Sequence, residues 1–240
     1  MSKTKRTTPS RTLLIIVAVV GLIVVAGVGG FAAFIISSGS GEASVDIANV
    51  APTLNESGEG RVYSIDPQNS EARFIIDEVL NGQPTTVVGT TSQLGGEIRV
   101  NQANPAESEI GPVVINARTL ETDRPQRNRA LRSFILLSAQ DQYEFIRFEP
   151  TALSGLPDAA VEVGQTLEFQ VTGDLSIVDT TQPVTFDAAV TLNADGTLTG
   201  TAQTSVQYAD FGLTIPNVPQ VASVGDTVQL ELDFTAAEVR

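Results

Sequence analysis

Three stretches of this 240-residue chain alternate apolar and polar residues over eight positions or more, and a strict period of two admits one kind of backbone. In TLEFQVTGDLSIV the residues Leu167, Phe169, Val171, Gly173, Leu175 and Ile177 are apolar or small, and Glu168, Gln170, Thr172, Asp174 and Ser176 between them are polar. PVTFDAAVTLN repeats the pattern through Val184, Phe186, Ala188, Val190 and Leu192. TVQLELDF repeats it through Val228, Leu230, Leu232 and Phe234. Successive side chains of a strand point to opposite faces, so these stretches predict strands with one dry and one wet face. Asn193-Ala194-Asp195-Gly196 separates two of them and predicts a hairpin loop. Further strands are expected near 61–66, 70–79, 85–91, 94–101, 112–119, 143–149 and 198–209. One helix is expected near 126–138, where Leu131, Phe134, Ile135 and Leu137 are apolar. Many antiparallel strands with one-sided alternation imply a closed barrel or a sandwich.

Two features favour a barrel with space inside. Strands of about eleven residues at roughly 3.3 Å each make a wall of about 36 Å. The dry faces also include small residues: Gly200, Ala202 and Thr204 on one strand, Ala188 and Ala236 on others. A barrel of about eight strands either fills with side chains or holds one small ligand. Small inward residues leave room, unless large residues opposite fill it.

The N-terminal region obeys different rules. Lys3, Lys5, Arg6 and Arg11 precede Leu13–Ile36, a run of 24 residues without a charge. As a helix it would span roughly 36 Å, enough for a hydrocarbon core of about 30 Å with some tilt. Basic residues precede it and the next ionisable residue is Glu42, so the expected topology is a cytoplasmic tail 1–12, a transmembrane helix 13–36 and an extracytoplasmic remainder. A cleaved signal peptide is the competing reading, with Ser37-Ser38-Gly39 as a site, but its apolar stretch is usually about 7–15 residues. Gly29 and Ala33 have a spacing that would let two such helices pack, and a homodimer stays open. Residues 37–60, SSGSGEASVDIANVAPTLNESGEG, are rich in Ser, Gly, Glu and Ala and predict a flexible linker before a domain at 61–240.

Composition closes most routes to chemistry. The chain has no histidine and no cysteine, and both lysines lie in the tail. There is therefore no Ser-His pairing, no exterior Schiff base, and no metal site built on His or Cys. No cofactor is implied. The expected exterior carries 28 acids against ten arginines, which argues against nucleic acid as a partner. Acids on alternating strands are expected on the solvated face, and no calcium loop is present. Against this background RPQRNRALRS stands out, with Arg124, Arg127, Arg129 and Arg132 in nine positions. Arginine donates two parallel hydrogen bonds to phosphate or carboxylate. On a helix Arg129 and Arg132 would share a face. They either meet an anionic headgroup or pair with surface acids.

The residues then show a family pattern. VYSIDPQNSEARFII presents Tyr63, Ile65, Ser70 and Phe74. VVGTTSQLGGEIRV presents Val88, Gly89, Gly96 and Ile98. The arginine stretch presents Arg129, Leu131-Arg132-Ser133, Tyr143 and Phe148. GDLSIVDTTQPVTF presents Gly173, Leu175, Ile177, Thr181, Pro183 and Val184. YADFGLTIP presents Asp210, Phe211 and Gly212. In this order and spacing, over most of 61–239, the domain resembles the YceI-like proteins. It departs from them at Asn128 (usually Asp), Glu144 (usually Pro) and Asp179 (usually Gly), and at Tyr208-Ala209, where an arginine is usual. The resemblance implies an all-β, elongated antiparallel lipocalin-like barrel with one short helix, behind the single transmembrane helix. It implies a bacterial, non-catalytic carrier of a polyisoprenoid- or quinone-type amphiphile. Tunnel lining is then expected from Phe74, Ile76, Leu131, Phe134, Phe169, Leu175, Ile177, Phe186 and Phe211, with Arg129 and Arg132 as headgroup candidates. The rival from another class is a tethered interaction module with a solid core and an acidic binding surface.

Overall fold

The computed structural model describes residues 41–55, 57–216 and 221–239. The anchor expected over 13–36 lies outside the described residues. Among those described, no helix is long and apolar enough to cross a membrane.

Among the described residues thirteen strands form one curled antiparallel sheet: β1 (Arg61–Ile65), β2 (Glu71–Leu80), β3 (Gln83–Thr91), β4 (Leu94–Gly95), β5 (Glu97–Val100), β6 (Glu109–Ile110), β7 (Val113–Asn116), β8 (Phe145–Ser154), β9 (Thr166–Ile177), β10 (Thr180–Leu192), β11 (Leu198–Gln207), β12 (Val221–Val224) and β13 (Thr227–Glu238). The alternating stretches form the long walls, and on β9 the residues Phe169, Val171, Gly173, Leu175 and Ile177 are all buried. The two shortest strands outside the expected set, β6 and β12, are too short to carry a periodic signal.

The order β7-β8-β9-β10-β11-β13 runs round most of a barrel. At its far side β13 splits its pairing. Gln229–Asp233 pair with β2, and Ala236–Glu238 pair with β1. The stretch 94–100 joins the two margins: Leu94–Gly95 pair with β7 and Glu97–Val100 pair with β1. Beyond this closure the wall is a half-barrel. β3 pairs with β2 on one edge, and its other edge meets only a bridge from Thr90 to Glu121. A short helix α1 (Pro125–Ala130) and a π-turn (Leu131–Ile135) follow that bridge in the chain. At the opposite end two loops hydrogen-bond each other, through Ala106 N to Pro157 O, Val161 N to Gln102 O and Gln102 Nε2 to Val161 O.

The expectation of a flexible linker over 37–60 is corrected for its described part. Ile47 is 1% exposed and Leu54 is also buried. The run contains few apolar residues, and it docks Ile47 and Leu54 while Val45 stays exposed. Gly95 and Gly111 let them in, since a Cβ at Gly95 would meet Ala51 at 3.0 Å and one at Gly111 would meet Leu54 at 3.1 Å. Buried carboxylates fix the backbone: Leu54 N donates to Glu97 Oε2 (2.7 Å) and Ser44 N to Glu144 Oε1 (2.8 Å). Glu144 is 1% exposed and also accepts from Asn116 Nδ2 (2.8 Å) and Arg118 Nη1 (3.1 Å). A buried carboxylate is tolerable when surrounded in this way. The residue that departs from the family pattern at 144 is thus the hub that ties the segment before β1 to β7 and β8. The expectation that acids sit on the wet face fails at Glu78, Glu97 and Glu144, all buried.

If this segment is part of the fold, Ile47→Ala should lower stability by about 2–4 kcal/mol, as for other buried large-to-small changes. Urea unfolding of the full chain checks it; a free tether would show no change.

Candidate functional site

The inward face of the curled sheet encloses a cavity of about 710 Å³. It reaches along β9 from Leu167 to Ile177, roughly 33 Å of strand at ~3.3 Å per residue. The wall is apolar because every long strand turns its dry face inward. The volume falls within the ~300–1,000 Å³ common for small-molecule sites.

The cavity stays open through a repeated seating of aromatic rings on glycines. Phe74 on β2 lies opposite Gly89 on β3, and Phe234 on β13 lies opposite Gly200 on β11. A Cβ on Gly89 would overlap Phe74 Cε1 and Cζ, and one on Gly200 would come within 2.6 Å of Phe234 Cζ. Phe148 on β8 lies over Gly173 on β9 in the same way, at 2.7 Å from the position a Cβ would take. Each ring occupies the space a neighbouring side chain would use, so it lies along the wall instead of projecting across the lumen. Phe148 also meets Phe186 edge to face, with ring centroids 5.0 Å apart. The small residues read as leaving room are therefore of three kinds, since Thr204 and Ala236 are off the wall, Ala236 fully buried in the core. Gly200 seats a ring, whereas Ala188 and Ala202 face the cavity.

Phe74, Ile76, Leu131, Phe169, Leu175, Ile177, Phe186 and Phe211 all lie on the cavity wall. Phe134 does not: its π-turn position turns it outward and it is 68% exposed. Phe211 belongs to the Asp-Phe-Gly turn that follows β11. Gly212 takes φ 68° there, a conformation glycine adopts without strain, and Phe211 is buried.

The arginine cluster is placed differently from the expectation. The helix expected over 126–138 stops at Ala130 and widens to a π-turn, with Leu136 N bonding Leu131 O at 2.8 Å. Leu131 faces the cavity, and the position four before it, Arg127, shares that face, while Arg124 is the extended residue just before the helix. Both arginines lie on the wall. Arg129 is exposed and off it. Arg132 is off it too, only 4% exposed, with Nη1 donating to Arg118 O at 3.1 Å. Burial holds the Arg132 pKa below the usual arginine value, against the pull of Glu121. Fixing the helix phase on Leu131 would have selected Arg127 from the sequence.

Arg127 bonds Glu78 at 2.7 Å and also pairs with Asp123. Glu78 interrupts the inward row of β2, which otherwise reads Ala72, Phe74, Ile76 and Leu80. A charge on a dry face is costly unless paired, and Arg127 supplies the pair. Gln126 and Tyr208 add polar groups to the wall, and Gln102, Ser108, Glu162 and Gln165 contribute others from the linked loops and their flanks. Among the described residues no cluster of side chains could hold a metal ion.

A profile of the YceI-like domain matches residues 63–236. Protein YceI of Escherichia coli O157:H7 is 25% identical over 156 residues, covering 63% of this chain and 75% of that protein. A UPF0312 protein of Serratia proteamaculans is 25% identical over 175 residues, covering 70% and 84%. The fold is that of a polyisoprenoid binding domain from Saccharophagus degradans (TM-score 0.57, 16% identity, 74% of this chain and 98% of that one). It is likewise that of BcnA from Burkholderia cenocepacia (TM-score 0.57, 18% identity, 72% and 99%).

The seating of rings on glycines predicts a measurable coupling. Gly89→Ala should cost about 1–3 kcal/mol through overpacking. In a Phe74→Ala background most of that loss should vanish, because no ring remains to be displaced. A double-mutant cycle by urea unfolding reads the coupling directly, and additive losses would disprove the seating.

Proposed function

Since this chain belongs to the YceI-like domain family, we propose that it holds a polyisoprenoid- or quinone-type amphiphile in its cavity and carries it without chemical change. One observation carries the reading: an apolar cavity of about 710 Å³ running the length of the long strands. A chain-shaped apolar ligand needs a long dry wall, and hydrophobic burial scales with the area removed from water. The likeness to a domain described as polyisoprenoid binding supports the same ligand class. The lack of histidine, cysteine and exterior lysine supports a binding role. The open cavity disfavours a solid-cored interaction module.

The same proposal puts the domain outside the cytoplasm on the anchor read from residues 13–36. The basic flank and the uncharged run support that topology. The full chain should stay with membranes after an alkaline carbonate wash, and a chain lacking 13–36 should be released by it.

The carrier reading is tested on the full chain purified in mild detergent. Native mass spectrometry with organic extraction should find one lipid class at a fixed ratio to protein. After delipidation, a polyprenol or a quinone should raise the melting temperature, since a ligand that binds only the folded state stabilises it. Ala202→Trp, which fills the lumen, should weaken retention by about tenfold or more while the variant remains folded by circular dichroism. No lipid, no thermal shift and no effect of Ala202→Trp would refute the carrier.

A further inference from the structure

Every arginine on the cavity wall already faces a carboxylate. Arg127 is held by Glu78 and Asp123. Arg124 stands 3.5 Å from Asp123. Arg73 belongs to an outward cluster with Glu71, Glu231 and Asp233, and its hydrogen bond to Glu231 raises its pKa further. Against these three cations the wall itself carries Glu78, Glu162 and Glu231. Asp123, Glu71 and Asp233 add negative charge beside them. The loop end is no more cationic: its polar wall residues are Gln102, Ser108, Glu162 and Gln165, with no arginine. Arg129, Arg132 and Arg147 are all off the wall, and Arg132 is drawn toward Glu121.

Resting on the carrier reading above, we propose that this cavity selects amphiphiles with an uncharged polar head, of the quinone or long-chain alcohol class, over anionic phosphate esters of the same tail. The Glu78–Arg127 pair is the specificity determinant. A phosphate at the helix end would lie beside Glu78 and Asp123, and could reach Arg127 only by displacing one of them. A phosphate at the loop end would meet Glu162 and no cation. An uncharged head avoids both penalties, and Gln126 and Tyr208 offer it hydrogen-bonding groups. Like charges placed against the wrong ligand are a common source of selectivity. Glu78 serves no packing need of the strand, since an apolar residue would continue the row of Ala72, Phe74 and Ile76. Its presence sets the charge seen from inside.

The test pairs two probes that differ only at the head: a polyprenol and the monophosphate of that polyprenol. Both are titrated into the full, delipidated chain in a nonionic detergent, with tryptophan-free fluorescence competition or thermal shift as the readout. The expected result is that the alcohol binds at least about tenfold tighter than the phosphate. Glu78→Gln, which frees one side of Arg127, should improve phosphate binding more than it changes alcohol binding, narrowing the ratio. Asp123→Asn, at an exposed position, should narrow it in the same direction and does not depend on Glu78→Gln folding. Phosphate binding equal to or tighter than the alcohol in the unaltered chain would overturn the selectivity and leave the carrier reading standing. Binding of neither probe would overturn both. A ratio unmoved by either substitution would remove the pair as its cause.

Discussion

The cavity depends on a stretch of seven residues, Leu94–Val100, that changes partners in the middle. Leu94 and Gly95 bond β7, while Glu97 to Val100 bond β1, and Gly96 stands between the two ladders. The switch brings backbones close together. Ile65 N reaches Gly96 O at 3.0 Å, and a Cβ on Gly96 would meet Pro112 O at 3.1 Å. Leu94 is fully buried beneath it, in the cluster that includes Tyr63, Ile98, Leu198 and Phe234. Without this stretch the sheet would be an open curl with two long edges, and its dry face would have no reason to enclose anything. Edges of that kind also invite pairing with other chains.

The segment before β1 buttresses this closure from outside. It brings Ile47 and Leu54 against Gly95 and Gly111, and it anchors its backbone on Glu97 and Glu144. Arg99 does the same from β5, donating to Asn55 O and to Gly58 O. Buried charges are poor stabilisers by themselves but strict about geometry, because each must be met by the right donor. The buttress makes residues 41–55 and 57–58 part of the folded body.

Inside, stability and function pull in opposite directions. A solid core would bury more apolar surface and lose no packing contacts to empty space. This protein keeps about 710 Å³ unfilled and seats Phe74, Phe148 and Phe234 on glycines, so their bulk lines the wall. The three rings supply apolar surface to an occupant without blocking its path. An occupant that binds only the folded state returns part of the missing stabilisation. The Glu78–Arg127 pair puts a neutralised ion pair on the inward row of β2, which is otherwise apolar.

Much of this was written locally in the chain. Alternation of period two identified the long strands and their inward residues, because on a half-buried strand side-chain direction follows position alone. That is why the six strand positions Phe74, Ile76, Phe169, Leu175, Ile177 and Phe186 face the cavity. The order of the family motifs implied an antiparallel barrel, and the structure shows a curled antiparallel half-barrel. What failed had non-local causes. Phe134 and the phase of Arg129 and Arg132 depended on a helix that ends early in a π-turn. Ile47 and Leu54 looked like linker because the glycines that receive them lie more than forty residues away. Glu78, Glu97 and Glu144 looked solvated because their partners come from other elements. The sequence by itself determined strands, faces and the absence of histidine and cysteine, since these follow from residue type and spacing. Only the tertiary structure decided the closure, the open lumen and the pairing of its charges, since each requires residues distant in the chain to meet within a few ångströms.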